Sequence, residues 1–282
     1  MNDMTHTTDI PTQTRPALFS VRDLRLSFPD MANKPLLGPA PRTEVLKGLS
    51  FDIPAGQITG IVGESGSGKS TAGRVLVRLL EPDSGTVLFD GEPIGHLTED
   101  ALRPLRRDLQ MIFQDPMSSL NPRHKVGRLI AQPLKRYGRG GTREQAEDAL
   151  RRVGLPADFA DRYPHQLSGG QRQRVGIARA IALEPRFILA DEIVSGLDVS
   201  SQAQVLALLK DLAADMGLTM AFISHDLSVI RHLCDNVIVL NRGEIVEQGP
   251  VEQVFDTPQS DITKTLLSAI PLPELDDDWF ED

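Results

Sequence analysis

A glycine-rich stretch of nine residues carries the strongest chemical signal in the sequence. Residues 63–71 match the phosphate-binding pattern G-x-x-x-x-G-K-[ST] at every fixed position, and in order they are Gly63, Glu64, Ser65, Gly66, Ser67, Gly68, Lys69, Ser70 and Thr71. Glycines let several backbone N–H groups point at phosphate oxygens, and the positive N-terminal end of a following helix attracts the same anion. We expect Lys69 to reach the β- and γ-phosphates and the Ser70 hydroxyl to bind Mg²⁺. The stretch predicts that the chain binds a nucleoside triphosphate.

Two adjacent carboxylates form a second candidate site. The apolar run over residues 187–190 is typical of a buried strand, and it ends at Asp191 and Glu192. We expect Asp191 to hold Mg²⁺, directly or through water. On an extended chain Glu192 would point the other way, where its carboxylate can polarise a water for attack on the γ-phosphate. A solvated turn is the alternative, and the phosphate-binding stretch in the same chain favours the catalytic interpretation.

A third candidate is a short segment before an arginine-rich helix. It consists of Leu167, Ser168, Gly169, Gly170 and Gln171. Ser168 is an N-cap candidate, and the two glycines would expose backbone N–H groups, which gives a second anion-binding helix start. These five residues alone fit an ordinary capped helix equally well, so both interpretations stay open at this point.

The elements that must position these residues follow from the hydrophobic pattern. The phosphate-binding stretch lies between a strand-like run over residues 58–62 and apolar residues at helical spacing, namely Val75, Leu76, Leu79 and Leu80. Residues 99–182 are predicted to be mainly helical, and a further helix is predicted at 201–216. An edge strand is predicted at 18–28, and the other strands at 44–53, 86–89, 187–190, 219–224, 237–240 and 245–247. Strands that alternate with helices predict an α/β fold with a parallel sheet.

Composition and charge narrow the class of protein. The chain has 282 residues, of which 40% are hydrophobic and 24% charged, and no apolar run approaches the ~18 residues that cross a bilayer. Residues 1–16 lack the basic start and apolar centre of a secretory signal, so a cytoplasmic location is expected. Cys234 is the only cysteine, which excludes an internal disulfide and favours a buried core residue.

The distribution of charge is uneven along the chain. The net charge is −9, which argues against general affinity for nucleic acid, and residues 274–282 carry six of the negative charges. Residues 103–152 contain twelve Arg or Lys against five Asp or Glu. A solvated helical surface and a face turned toward anionic lipid or a partner both fit this segment.

Taken together, the motifs resemble those of the ATP-binding subunits of ABC transporters, over about residues 18–271. Residues 167–171 look like the signature motif of that family, which closes over ATP held by a second subunit. Gln114 is similar to the loop glutamine that senses Mg²⁺ and contacts the membrane subunits. Residues 195–198, which end at Asp198, are similar to the D-loop that crosses between subunits in that family. His225 matches the switch histidine that contacts the γ-phosphate, and Phe28 is the candidate for stacking on adenine.

The resemblance implies a fold and a domain organisation. It predicts a P-loop NTPase (RecA-like) core with a parallel sheet, an antiparallel β subdomain and an α-helical subdomain. The ATPase domain would span residues 18–262 with the helical subdomain at about 115–182, and residues 1–17 and 263–282 would be flexible. The cofactors would be ATP and Mg²⁺. Gln114, Glu192 and His225 would be catalytic, and Ser70, Gln114 and Asp191 would hold the metal.

Narrower features resemble the dipeptide, oligopeptide and nickel importers. They are the loop over residues 113–123 and the segment 266–271, whereas Ile193 stands where the family usually has proline and residues 258–265 lack the usual His-Pro-Tyr-Thr. The implied function is import of peptides or similar small solutes by a peripheral protein on the cytoplasmic face of the inner membrane. Its partners would be a second ATPase subunit, two membrane permeases and, indirectly, a solute-binding protein, with no nucleic acid.

Two other functions fit the same fold. An ATPase for export or lipoprotein release would differ in its membrane partner, and the loop at Gln114 argues against it. A soluble ABC protein of DNA repair or translation usually carries two ATPase units or long coiled-coil inserts, and this sequence shows neither.

Overall fold

Two β-sheets form the centre of the molecule. The computed structural model describes residues 16–35, 38–115 and 119–269. An antiparallel sheet has the strand order β2-β1-β4-β5, and a mostly parallel sheet has the order β10-β9-β3-β8-β7-β6. The strands are β1 (Ala17–Pro29), β2 (Arg42–Pro54), β3 (Ile58–Val62), β4 (Ser84–Phe89), β5 (Glu92–Pro93), β6 (Leu109–Ile112), β7 (Phe187–Asp191), β8 (Thr219–Ile223), β9 (Asn236–Asn241) and β10 (Glu244–Pro250).

Helices cover the sheets and connect the parallel strands. In the described residues they are α1 (Lys69–Leu76), α2 (Glu99–Leu102), α3 (Val126–Arg136), α4 (Arg143–Arg152), α5 (Gly169–Ile181), α6 (Val199–Met216), α7 (Leu227–Leu233), α8 (Val251–Asp256) and α9 (Asp261–Ser268). Helices α3, α4 and α5 contact one another and form a helical layer beside the parallel sheet. Helix α9 occupies the first part of the segment for which the sequence predicted flexibility, and residues 270–282 lie outside the described part of the chain.

The parallel sheet places several loops at one edge. Strands β3, β7 and β8 run parallel and are buried along their whole length, which is expected of strands covered on both faces. Because parallel strands end at the same edge, the segments that follow them begin side by side. The glycine-rich loop after β3, Glu192 after β7 and His225 after β8 therefore lie at neighbouring positions.

The hydrophobic core has two parts, one on each face of the parallel sheet. In β3, Ile61 joins the cluster shared with α1 and the antiparallel sheet, while Val62 joins the cluster shared with the helical layer. This alternation is the period of two expected of a strand. Phe19 of β1 is fully buried and its ring lies 5.1 Å from that of Phe89 and 4.6 Å from that of Phe187. Phe19 therefore joins the two sheets.

Three local predictions from the sequence are wrong. Strand β1 was predicted at an edge but lies between β2 and β4. The alternation of apolar residues indicates which face of a strand is buried, but it does not indicate how many strands pair with it. Helix α1 ends at Leu76, and Arg78 at φ 53° turns the chain away, so Leu79 and Leu80 are outside the helix. Strand β6 lies inside the segment predicted to be helical. The sequence did not reveal it, because four residues are too few to show a period.

The architecture as a whole agrees with the sequence-based expectation. A parallel sheet with a glycine-rich loop between β3 and α1, an added antiparallel sheet and a helical layer make this an α/β fold of the P-loop NTPase type. In the described part of the chain, no helix combines the length and the apolar character needed to cross a bilayer.

Candidate functional site

The glycine-rich loop follows β3 and leads directly into α1. Gly63 adopts φ 144°, and a Cβ atom there would lie 2.0 Å from the carbonyl oxygen of Leu240 in β9. Gly66 also has a positive φ, of 79°, but a Cβ there would meet open space. The first glycine is therefore required by close packing against β9, whereas the second is required only by its backbone conformation.

Contacts with the two sheets hold the loop in place. The Gly243 N–H, in the turn between β9 and β10, donates to the Ser67 carbonyl at 3.0 Å, and the Gly243 carbonyl accepts from the Lys47 N–H of β2 at 2.9 Å. The Ser67 hydroxyl is buried and finds no hydrogen-bond partner among the described residues. A buried polar atom inside an anion-binding loop fits a ligand with acceptor oxygens.

Lys69 lies within the curl of the loop. Its Nζ donates to the carbonyl oxygens of Gly63 and Glu64, both at 2.7 Å. Burial lowers the pKa of Lys69, and the nearby Glu192 and Asp191 carboxylates oppose that shift. The ammonium is therefore positioned by backbone carbonyls at the place where phosphate oxygens would be its partners.

Ser70 and Asp191, both predicted to hold Mg²⁺, are in contact with each other. The Ser70 hydroxyl donates to Asp191 Oδ1 at 2.9 Å, and the Arg74 guanidinium lies 3.8 Å from Asp191 Oδ2. Burial raises the pKa of Asp191, and the hydrogen bond from Ser70 opposes this. A hydroxyl and a carboxylate are hard oxygen ligands of the kind that Mg²⁺ prefers, and Mg²⁺ commonly completes its shell with substrate phosphates and water. The residues present therefore fit that ion.

The three residues predicted to be catalytic lie together. Gln114 Nε2 donates to Glu192 Oε2 at 3.0 Å, and His225 Nδ1 lies 3.9 Å from Glu192 Oε1. The prediction that the alternation of an extended strand sets the direction of the Glu192 side chain is wrong, however. Strand β7 ends at Asp191, and Glu192 adopts φ 49°, so the alternation of an extended strand does not apply to it. A turn in the left-handed region sets its direction instead.

The predicted second anion site, residues 168–171, is the capped start of helix α5. The Ser168 hydroxyl accepts from the Gln171 N–H at 3.3 Å, and the Gln171 side chain accepts from the Ser168 N–H at 3.0 Å, which is a complete capping box for α5. A Cβ on Gly170 would lie 3.4 Å from the Ser201 hydroxyl of α6, whose N-cap is Asp198. Among the hydrogen bonds of the described residues, none joins residues 168–171 to residues 63–71.

Phe28 lies at the end of β1 and is 38% exposed. It pairs with Thr43 of β2, and two residues further on the Val45 carbonyl oxygen lies 3.2 Å from where a Cβ on Gly68 would be. Phe28 is thus on the hairpin that borders the phosphate-binding loop, which is compatible with the predicted stacking on adenine. That role stays a prediction.

Two features escaped the reading of the sequence. The Ser195 hydroxyl donates to the Glu192 carbonyl, a contact for which the sequence offers no signal beyond proximity along the chain.

The second feature is a cavity of about 430 Å³ between the helical layer and the parallel sheet. Its apolar wall includes exposed side chains, since Leu79 is 50% and Phe113 is 39% exposed. The other apolar residues that line it are Val77, Leu109, Met111, Leu129, Pro133, Tyr137 and Leu183.

Ion pairs engage just over half of the basic side chains in the segment at 103–152. Seven of its twelve Arg or Lys contact a carboxylate among the described residues, as Arg106 does with Glu99 at 2.7 Å and Arg143 with Asp161 at 2.7 Å. This favours a solvated surface over a broad face for anionic lipid.

Comparisons with known proteins agree with this geometry. A family model for ABC transporters matches residues 46–195. A putative peptide import ATP-binding protein of Brucella ovis is 51% identical over 236 residues, which cover 83% of this chain and 74% of that protein. The oligopeptide transport ATP-binding protein AppF of Bacillus subtilis is 48% identical over 81% of this chain and 71% of its own length.

Solved structures of similar proteins share the fold. The ATP-binding cassette MJ0796, solved as a dimer in a post-hydrolysis state with ADP and Pi, has a TM-score of 0.72 and 31% identity, covering 83% of this chain and 98% of its own. The protein cbiO1 of Clostridium perfringens has a TM-score of 0.72 and 28% identity, covering 86% and 91%. The fold and the site thus define an ATPase with a phosphate-binding loop. The chain belongs to the ABC transporter family, as one of its ATP-hydrolysing cassettes.

Proposed function

We propose that this chain hydrolyses ATP to drive the import of peptides or similar small solutes through separate membrane subunits. The observation that carries the proposal is the meeting of Glu192, Gln114 and His225 at the edge of the sheet where the phosphate-binding loop begins. The names of the similar proteins, which are peptide import ATP-binding proteins, support the choice of solute.

The nucleotide would lie across the start of α1. Residues 63–71 would surround the phosphates with backbone N–H groups, Lys69 would bind the β- and γ-phosphates, and Phe28 would stack on adenine. Ser70, Asp191 and Gln114 would hold Mg²⁺, which when bound supplies positive charge against the phosphate oxygens. The observed contact between Ser70 and Asp191 supports this assignment, because it already places two oxygen ligands together.

Glu192 would act as the general base. Its carboxylate would take a proton from a water that attacks the γ-phosphorus, and the bond from that phosphorus to the β–γ bridging oxygen would break. His225 would orient the γ-phosphate. In this structure the Glu192 carboxylate accepts a hydrogen bond from Gln114, so a water would compete with that amide for Glu192 Oε2.

A second cassette would complete each ATP site. Residues 168–171 and Asp198 lie side by side, and in the described part of the chain none of them hydrogen-bonds to the phosphate-binding loop. In a head-to-tail dimer they would close over the ATP held by the partner. The dimeric form of the similar cassette MJ0796 supports such an arrangement.

The membrane subunits would contact the cavity beside the Gln114 loop. Exposed apolar side chains are costly in water, and Leu79 and Phe113 lie at this cavity, close in sequence to residues of the ATP site. A permease segment seated there would connect solute movement with the state of the nucleotide. This arrangement would hold the chain at the cytoplasmic face of the membrane, with the solute-binding protein on the other side.

The variant Glu192→Gln tests the catalytic assignment. We expect ATP binding to be preserved and hydrolysis to fall by at least about a hundredfold, the usual contribution of a general base. Glu244→Gln, on the exposed start of β10, is the matched control and should hydrolyse ATP normally. The measurement is phosphate release by the complex purified through a tag on this chain. Hydrolysis by Glu192→Gln at the rate of the unmodified protein would contradict the assignment.

Co-purification tests the transport assignment. We expect the tagged chain to recover two membrane proteins, and Leu79→Glu to reduce that recovery because it places a charge on the apolar wall of the cavity. Met31→Glu, at another exposed apolar residue, should have no effect. Recovery with ribosomes or DNA, or equal recovery of membrane proteins by both variants, would argue against the proposal.

A further inference from the structure

The backbone of Glu192 is held in an unfavourable conformation. Its φ of 49° is in the left-handed region, which glycine adopts readily and a residue with a side chain does not. Residues in such conformations persist only when the surrounding structure fixes them, and they are concentrated at active sites. The contacts that fix Glu192 are therefore part of how its carboxylate is positioned.

Two residues, Ile223 and Ser195, make these contacts with the backbone of Glu192. The Glu192 N–H donates to the carbonyl of Ile223 at the end of β8, at 3.0 Å. The Glu192 carbonyl accepts twice from Ser195, once from its N–H at 3.1 Å and once from its hydroxyl at 2.7 Å. Ser195 thus closes the turn on one side while β8 holds it on the other. Ile193 lies between Glu192 and Ser195 in the sequence, and unlike proline it has no ring that fixes the backbone angle φ.

The Ser195 hydroxyl also lies near the amide that holds the Glu192 carboxylate. It is 3.5 Å from Gln114 Nε2, and that amide donates to Glu192 Oε2 at 3.0 Å. The contacts form a closed ring that runs from the Glu192 carbonyl through Ser195 and Gln114 to the Glu192 carboxylate. One hydroxyl therefore acts on both the backbone and the side chain of Glu192.

We propose that Ser195 is a positioning residue for ATP hydrolysis: its hydroxyl holds the left-handed turn at Glu192 and keeps the carboxylate directed at the nucleotide site. The inference rests on the proposed role of Glu192 as general base. Ser195 does not itself reach the reacting atoms. Its loss leaves the phosphate-binding loop and the Ser70–Asp191 contact unchanged, because none of those hydrogen bonds involves it.

The test compares Ser195→Ala with Ser195→Thr in the purified complex. We expect Ser195→Ala to lower kcat about tenfold, which corresponds to one hydrogen bond that acts in the transition state, and to leave the Kd for ATP within about twofold. Ser195→Thr keeps the hydroxyl and should recover most of the rate. Ser268→Ala is the matched control, because it removes a similar hydroxyl-to-carbonyl bond, 2.8 Å to Thr265, at the end of α9.

Three results would overturn the inference. They are an unchanged kcat in Ser195→Ala, an equal loss of ATP binding and kcat, and a Ser195→Thr variant no better than Ser195→Ala. Glu192→Gln measured alongside separates the two proposals. If Glu192→Gln is inactive while Ser195→Ala is normal, only the role of Ser195 fails. If Glu192→Gln hydrolyses ATP normally, the general base and with it the role of Ser195 are both wrong.

Discussion

Replacement of Gly63 by alanine should destabilise the protein more than the same replacement at Gly66. Both glycines belong to the phosphate-binding loop and both have a positive φ, but only at Gly63 would the new Cβ meet another backbone, 2.0 Å from the Leu240 carbonyl oxygen. A carbonyl of a buried strand cannot rotate away as a side chain would. Relief of this contact therefore requires β3 or β9 to move.

The magnitude follows from three contributions. A residue with a side chain in a sparsely populated backbone region costs about 1–3 kcal/mol, which applies to both variants. The reduced freedom of the unfolded chain returns about 0.4–1 kcal/mol in both. Overpacking adds about 1–3 kcal/mol at Gly63 only. The free energy of unfolding should therefore be lower in Gly63→Ala than in Gly66→Ala by about 1–3 kcal/mol.

Thermal unfolding of the two purified variants, followed by circular dichroism, measures this difference. At about 2–4 °C for each kcal/mol, Gly63→Ala should unfold about 2–12 °C below Gly66→Ala. Binding of ATP should be weaker in Gly63→Ala, because a shift of β3 displaces the N–H groups of the loop. Equal unfolding temperatures would refute the reasoning that packing against β9, rather than φ alone, requires a glycine at position 63.

Three further predictions concern the core, the thiol and the signature segment. Phe19→Ala should lower the free energy of unfolding by about 3–5 kcal/mol, since it removes the ring between Phe89 and Phe187; a smaller loss in urea unfolding would contradict its role between the sheets. Burial raises the pKa of the Cys234 thiol, so Cys234 should react with a thiol reagent only after the protein is unfolded. Rapid labelling of the native chain would show this to be wrong. Ser168→Ala should cost about 1 kcal/mol and Ser168→Gly only a few tenths, so similar unfolding temperatures for the alanine variant and the unmodified chain would argue against the capping role.

The sequence predicted the motifs better than their surroundings. The loop at 63–71, the strand before Asp191 and the cap at Ser168 were located correctly because each has a local signal, namely glycine spacing, an apolar run or a serine before a helical run. The position of β1 within its sheet and the presence of β6 were missed. Pairing between strands is decided by residues far apart in the chain, and periodicity reports only which face of a strand is buried.

The surroundings of Glu192 show the same limit. The sequence indicated two acids after a strand and assigned the direction of the second by alternation, but a left-handed turn sets it. The contacts with Ser195, Gln114 and Ile223 that hold this turn depend on where β8 and the Gln114 loop lie relative to β7. No local pattern contains that information.

The sequence alone determined that the chain binds a nucleoside triphosphate and carries the motifs of an ATPase cassette, because those motifs depend on short runs of neighbouring residues. Only the tertiary structure brought Gln114, Glu192 and His225 to one place. The physical reason is the parallel sheet. It collects the ends of strands that are distant in sequence at one edge.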